Sequence, residues 1–181
     1  MPSCRAYIFL VIAWLAFATV SAPLPAQGGT SRFIPWKDAR TPSLALKDLA
    51  GAPHALTDYR GKVVLVNFWA TWCEPCLEEM PSMQRLRERL SDGRFVILAV
   101  NYGESKEKAA EFLKRVPVDL QVLLDPGQQA ARAWKVRILP MSFLLDGQGR
   151  VRYSVIGEID WASQEAVNTA RRLLGSAPAA Q

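Results

Sequence analysis

The sequence predicts an α/β fold, a three-layer α/β/α sandwich around a mixed sheet, and three observations carry that prediction. Lys62 to Trp69, KVVLVNFW, is a dense run of β-branched and aromatic residues bounded by Gly61. It is too short for a helix and continuously apolar, as a strand covered on both faces must be. Strand and helix signals then alternate, and right-handed crossovers make such strands parallel with helices on both faces. Finally, Ser142 to Leu145 and Val151 to Ile156 flank Asp146-Gly147-Gln148-Gly149, a hairpin signal that adds antiparallel strands to the same sheet.

The elements follow in order. Leu44 to Lys47 and His54 to Thr57 flank Gly51-Ala52-Pro53 and predict a small leading hairpin. After the central strand, Cys76, Met80, Met83, Leu86 and Leu90 recur at spacings of three and four, giving one apolar stripe on a helix from Glu74 to Leu90. Pro75 sits in its first turn, where a missing amide hydrogen costs little. Pro81 lies inside the helix and should kink it. Phe95 to Val100 reads as a second central strand and Ser105 as the cap of a helix over Lys106 to Arg115. Gln121 to Leu124 is a third strand, and Gly127 to Trp134 a short helix. A closing helix runs from Asp160 to Leu174, with Ile159, Ala162, Ala166, Ala170 and Leu173 inward.

One domain of this size accounts for the folded part of a 181-residue chain, with residues 41–175 as its span. In front of it, Ala6 to Ala22 is almost unbroken apolar sequence preceded by Arg5, so residues 1–26 read as a signal peptide or an uncleaved signal anchor. That reading places the domain outside the cytoplasm, in the periplasm, either soluble after cleavage or held to the membrane by residues 6–22. With Pro23 and Pro25 just ahead of it, Gly28, Gly29 and Pro35 make residues 27–40 a flexible linker, and residues 176–181 a loose tail. The net charge of +5 is spread over the chain rather than gathered on one face, which argues against nucleic-acid binding.

Of three cysteines, Cys4 precedes the apolar run, and Cys73 and Cys76 form the one pair beyond it. A structural disulfide framework needs more cysteines at wider spacing, so a lone local pair in an oxidising compartment reads as a redox site. Cys73 follows a buried strand and opens a helix, where backbone amides and the helix dipole favour the nucleophilic thiolate. Cys76 lies one turn further in, on the apolar stripe and less exposed. Cys73 would attack a substrate disulfide and Cys76 would resolve the mixed disulfide. No metal is implied, because zinc needs about four ligands and only these thiols and His54, read as a solvated loop residue, are on offer. With a single histidine, a cysteine–histidine hydrolase is excluded as well. Copper(I) held by two thiolates stays open. So does the isomer of Leu139-Pro140 ahead of the Ser142 strand: cis, freeing strand-edge groups for a peptide, or a trans strand-initiating proline.

VVLVNFWATWCEPCLEEMPSM and ILPMSFLLDGQGRV resemble the thioredoxin-like periplasmic and membrane-anchored thiol-disulfide oxidoreductases of the cytochrome c maturation type. The resemblance runs from Thr41 to Leu174. It implies the thioredoxin-like form of the sandwich, with the N-terminal β-hairpin and a central helix-strand insert between Val100 and Pro140. Cys73 and Cys76 match the redox pair, Pro140 the cis-proline facing it, and Trp72 the aromatic before the first cysteine. Glu79 matches an acidic position that tunes the thiols; its other reading is a solvated helix acid. Glu74 and Pro75 stand between the cysteines, where Glu74 would disfavour a second negative charge. Met141 departs from the family's usual threonine after the proline, a position that can face substrate. The resemblance implies a reductase of protein disulfides, in cytochrome c or copper-site assembly, fed by a membrane thiol carrier. It needs no cofactor beyond the Cys73-Cys76 disulfide. A disulfide-forming oxidase, a copper chaperone and a thiol peroxidase are the competing readings.

Overall fold

A computed structural model describes residues 32–176 apart from Asp92 and Pro117. The expected leader over residues 1–26, the start of the expected linker and the tail beyond Ser176 lie outside the described residues. In chain order the elements are β1 Ile34–Pro35, β2 Ala45–Asp48, β3 Pro53–Ala55, a 3₁₀ turn Leu56–Tyr59, β4 Val63–Trp69, α1 Glu74–Arg89 and β5 Phe95–Tyr102. There follow α2 Lys106–Leu113, β6 Gln121–Asp125, α3 Gln129–Ala133, β7 Met141–Leu145, β8 Val151–Ile156 and α4 Gln164–Ser176. The described strands join one sheet in the order β1-β8-β7-β4-β5-β6-β2-β3. β4, β5 and β6 are mutually parallel, and the other pairings are antiparallel. This is a thioredoxin-like fold with a mixed sheet, as the sequence predicts.

Period-two alternation along β4 builds two cores. Val63, Leu65 and Trp69 face α1, α4 and Phe112 of α2. Val64, Val66 and Phe68 face Leu44, Phe143, Trp134 and the alanines of α3. Helices cover both faces unequally, with α3 alone against the second core. The stripe Cys76, Met80, Met83, Leu86 and Leu90 is buried along its length, and α1 continues through Pro81, which faces solvent. Ser105 caps α2 by accepting from the Lys108 amide.

Three readings of the sequence change. Residues 32–40, read as part of a linker, belong to the folded unit: Ile34 and Pro35 pair with Ser154 and Tyr153 of β8, and Phe33 is buried in the core. Prolines disguise this segment, but the apolar side chains between them cover an otherwise open strand edge. His54 lies in β3, half-buried, its ring nitrogens 2.7 Å from the Tyr59 hydroxyl and 3.1 Å from Asp48 Oδ2, and is no solvated loop residue. The closing helix starts at Gln164 rather than Asp160. Asp160 instead holds a turn through the amides of Ala162 and Ser163, and the Ser163 hydroxyl accepts from Ala166.

Candidate active site

Strand β4 delivers the chain to a tight turn in which the Cys73 amide donates to the Ala70 carbonyl at 3.1 Å. Cys73 is the N-cap residue of α1, and its carbonyl accepts from the Cys76 and Leu77 amides. Cys73 and Cys76 are joined by a disulfide with Cα atoms 5.3 Å apart. Cys73 is 5% exposed and Cys76 fully buried, so the expected order of accessibility holds. Trp72, 63% exposed, stands beside the pair, and Glu74 and Pro75 face solvent on the first turn.

The Leu139-Pro140 peptide is cis. The Pro140 carbonyl accepts from Gly157 N at 2.9 Å, which ties this corner to the end of β8. Met141, largely buried, opens β7 and pairs with Phe68 of β4 and Ile156 of β8. Pro140 therefore leaves the sheet at the end from which the Trp72-Cys73 turn departs.

Glu79 is not a solvated helix acid. It is 1% exposed, three residues beyond Cys76 and on the same face of α1. Asn67 of β4 donates to its Oε1 at 2.7 Å, while the Trp161 indole at 3.1 Å and the Ile159 amide at 3.5 Å point at its Oε2. Asn67 also donates to the Ser142 hydroxyl at 2.9 Å, so one amide links the acid to the strand after Pro140. Every one of these donors is neutral. Burial pushes the Glu79 carboxyl up to about 7, against the pull of the Trp161 and Asn67 hydrogen bonds. The nearby Glu158 charge adds to the rise.

A second buried acid holds the Cys73 turn from the other side, and the sequence reading passed over it. Glu104 accepts from the Thr71 amide at 2.8 Å, the Thr71 hydroxyl at 2.6 Å and Asn101 at 2.8 Å, and pairs with Lys108 at 2.8 Å. Burial opposes its charge, but Lys108, Thr71 and Asn101 together hold the carboxyl down at about 2. The available signal was a polar residue in each of two buried strands: Asn67 in VVLVNFW and Asn101 at the end of its neighbour each bond one of the acids. Among the described residues no group of three or more His, Cys, Asp or Glu side chains is placed to hold a metal ion.

A thioredoxin-like sheet that presents two joined cysteines on the first turn of a helix, beside a cis-proline corner, defines a dithiol–disulfide oxidoreductase. The chain belongs to the AhpC/TSA family, whose pattern matches residues 38–154. A relative from Geobacillus thermodenitrificans, thiol-disulfide oxidoreductase ResA, is 37% identical over 147 residues, spanning 81% of this chain and 84% of its own. Among solved structures, a putative thiol:disulfide interchange protein DsbE from Chlorobium tepidum is 31% identical, with a TM-score of 0.64 over 75% of this chain and 93% of its own. A secreted thiol-disulfide isomerase from Corynebacterium glutamicum shares the fold, with a TM-score of 0.70 at 23% identity over 83% of this chain and 96% of its own. The chain is accordingly an enzyme, a thiol-disulfide oxidoreductase, and the Cys73–Cys76 disulfide is its redox group.

Proposed function

We propose that this oxidoreductase works outside the cytoplasm as a reductase of protein disulfides, with cytochrome c or copper-site assembly proteins as substrates. The observation that carries the reading is the placement of Cys76, fully buried, one turn above an acid whose carboxyl sits near neutrality. In the reduced enzyme the Cys73 thiolate attacks a substrate disulfide and expels one substrate thiolate. Glu79 takes the Cys76 proton, and the Cys76 thiolate attacks the Cys73 sulfur. That step releases the second substrate thiolate and closes the Cys73–Cys76 disulfide, so two electrons pass to the substrate. A membrane thiol carrier returns them.

Trp72, exposed beside Cys73, helps set which polypeptide fits, and Met141, packed behind the Pro140 corner, shapes that corner from inside. Pro140 leaves the edge of the chain open to that polypeptide. Glu74 and Pro75 shape the first turn, and Glu74 limits how much negative charge the turn accepts. Residues 6–22 direct export and, if retained, hold the enzyme beside its electron donor.

The test is the reduction potential of the Cys73–Cys76 pair, measured by equilibration in thiol–disulfide buffers and mass shift after alkylation. A value near that of thioredoxin, about −270 mV, is expected of a reductant. A value near about −120 mV would reverse the direction and make the enzyme a disulfide-forming oxidase.

A further inference from the structure

The edge segment Arg32 to Trp36 is tied to the redox site by its side chains. Its backbone lies along β8, through the β1 pairing and a 3.0 Å bond from Trp36 N to the Arg152 carbonyl. Phe33, 5% exposed, turns into the core that contains both cysteines. Its ring meets Tyr153 edge-on at 6.1 Å and Trp161 edge-on at 5.8 Å. Trp161 is held at two other points, its amide on the Ser82 hydroxyl at 2.9 Å and its indole N–H on Glu79 at 3.1 Å. Arg32 donates to the Glu158 carbonyl at 2.6 Å, one residue before the amide that points at the same Glu79 oxygen.

We propose that this strap is a positioning element of the redox site. Phe33 holds Trp161 over the Glu79 carboxylate, and Arg32 holds the Glu158-Ile159 backbone against it. The inference rests on the reading of Glu79 as the proton acceptor for Cys76. It follows from what Glu79 faces on each side. β4 offers neutral Asn67, with neutral Ser142 of β7 bonded behind it. α1 carries the disulfide one turn above, with Glu78 exposed alongside. The segment after β8 brings the Glu158 charge, and Asp160 there pairs with Arg85 at 3.7 Å on the surface. On the remaining side Trp161 packs its indole against the carboxyl, with Phe33 behind it. A seated strap keeps Glu79 dry and able to hold a proton at neutral pH, and an unseated strap admits water and lets it ionise.

The experiment is a carbon-13 NMR titration of the glutamate carboxyls in the whole oxidised chain, with the Glu79 signal identified by its loss in Glu79→Gln. Phe33→Ala is expected to lower the Glu79 midpoint by roughly a unit, because it exposes the indole and the acid to solvent. Phe33→Leu, which refills the space, is expected to restore most of it. Trp161→Phe keeps the packing and removes the N–H donor, so it is expected to move the midpoint the opposite way, upward. A Glu79 midpoint near neutrality in the parent that stays put in Phe33→Ala overturns the strap. Should Phe33→Ala not fold, Phe33→Val is read by the same criterion. A parent midpoint in the ordinary carboxylate range instead overturns the reading of Glu79, which separates the two failures. A general loss of stability, without a role in the site, would not send the Phe33 and Trp161 variants in opposite directions.

Discussion

Two glutamates flank the Cys73 turn, both buried, and their environments drive them to opposite charge states. Glu79 lies among neutral donors, and burial raises its carboxyl to about 7. Glu104 gathers a lysine, an asparagine and both polar groups of Thr71, and stays ionised down to about 2. Burial penalises charge at both sites, so the partner set decides the outcome. A carboxylate with donors for all its lone pairs, one of them cationic, is a fixed anchor for the turn. A carboxyl with only neutral partners can hold a proton near neutral pH, as the proposed role of Glu79 requires. On the proposed reading, one site holds the turn in place while the other exchanges a proton with it.

The largest expected effect tests the responsive side. The folded carboxyl of Glu79 sits near 7 and its ordinary value is 4.5, so the folded protein binds the extra proton between those values. The stabilisation from this group is therefore fully present below about pH 4.5 and is lost as pH rises through 7, a change of about 3 kcal/mol. Urea unfolding of the oxidised protein across that window should show the fall, and Glu79→Gln should flatten it. A parent and variant with parallel pH curves would erase the contrast between the two acids. Glu104 has the reverse sign: its contribution is present above 4.5 and is lost as pH falls through about 2.

Next in size is the anchor itself. Glu104→Ala leaves the Thr71 amide and hydroxyl, Asn101 and Lys108 without their acceptor, and should cost about 2 kcal/mol in urea unfolding. Because Thr71 lies two residues before Cys73, the same change should slow reaction of the reduced enzyme with a disulfide substrate. Glu104→Gln, which turns an amide N–H₂ toward some of these donors, should lose roughly half as much. Stability equal to the parent in the alanine variant would show that the turn stands without its carboxylate.

Much of this was legible in the sequence, and the contrast between the acids shows where legibility stopped. The β4 run, the α1 stripe and the DGQG hairpin declare themselves because periodicity and turn chemistry are local. The cysteine pair is equally local. Glu79 could be placed on the right face of α1, but the choice between solvated and buried depended on Asn67, twelve residues before it, and Trp161, eighty-two after. Glu104 carried no helix or strand signal at all, since its partners come from the ends of β4, β5 and α2. The strap was hidden for another reason: a strand edge recruits whatever apolar segment reaches it, and prolines suit that position as well as they suit a linker.

The smallest expected effect divides the anchor into its charged and neutral parts. Lys108 is bonded to Glu104 but 58% exposed, and Glu104 lies ahead of the α2 N-cap rather than on the helix. Half-exposed pairs of this kind contribute little, so Lys108→Ala should cost no more than about 0.5 kcal/mol. It should nevertheless raise the Glu104 carboxyl, because Lys108 is the strongest of the groups that hold it down. A small loss of stability with a correspondingly small upward shift would assign the fixing of the turn to Thr71 and Asn101 rather than to the lysine. A loss as large as that of Glu104→Ala would instead make the ion pair the anchor. The two acids would then differ by one cation rather than by their whole set of donors.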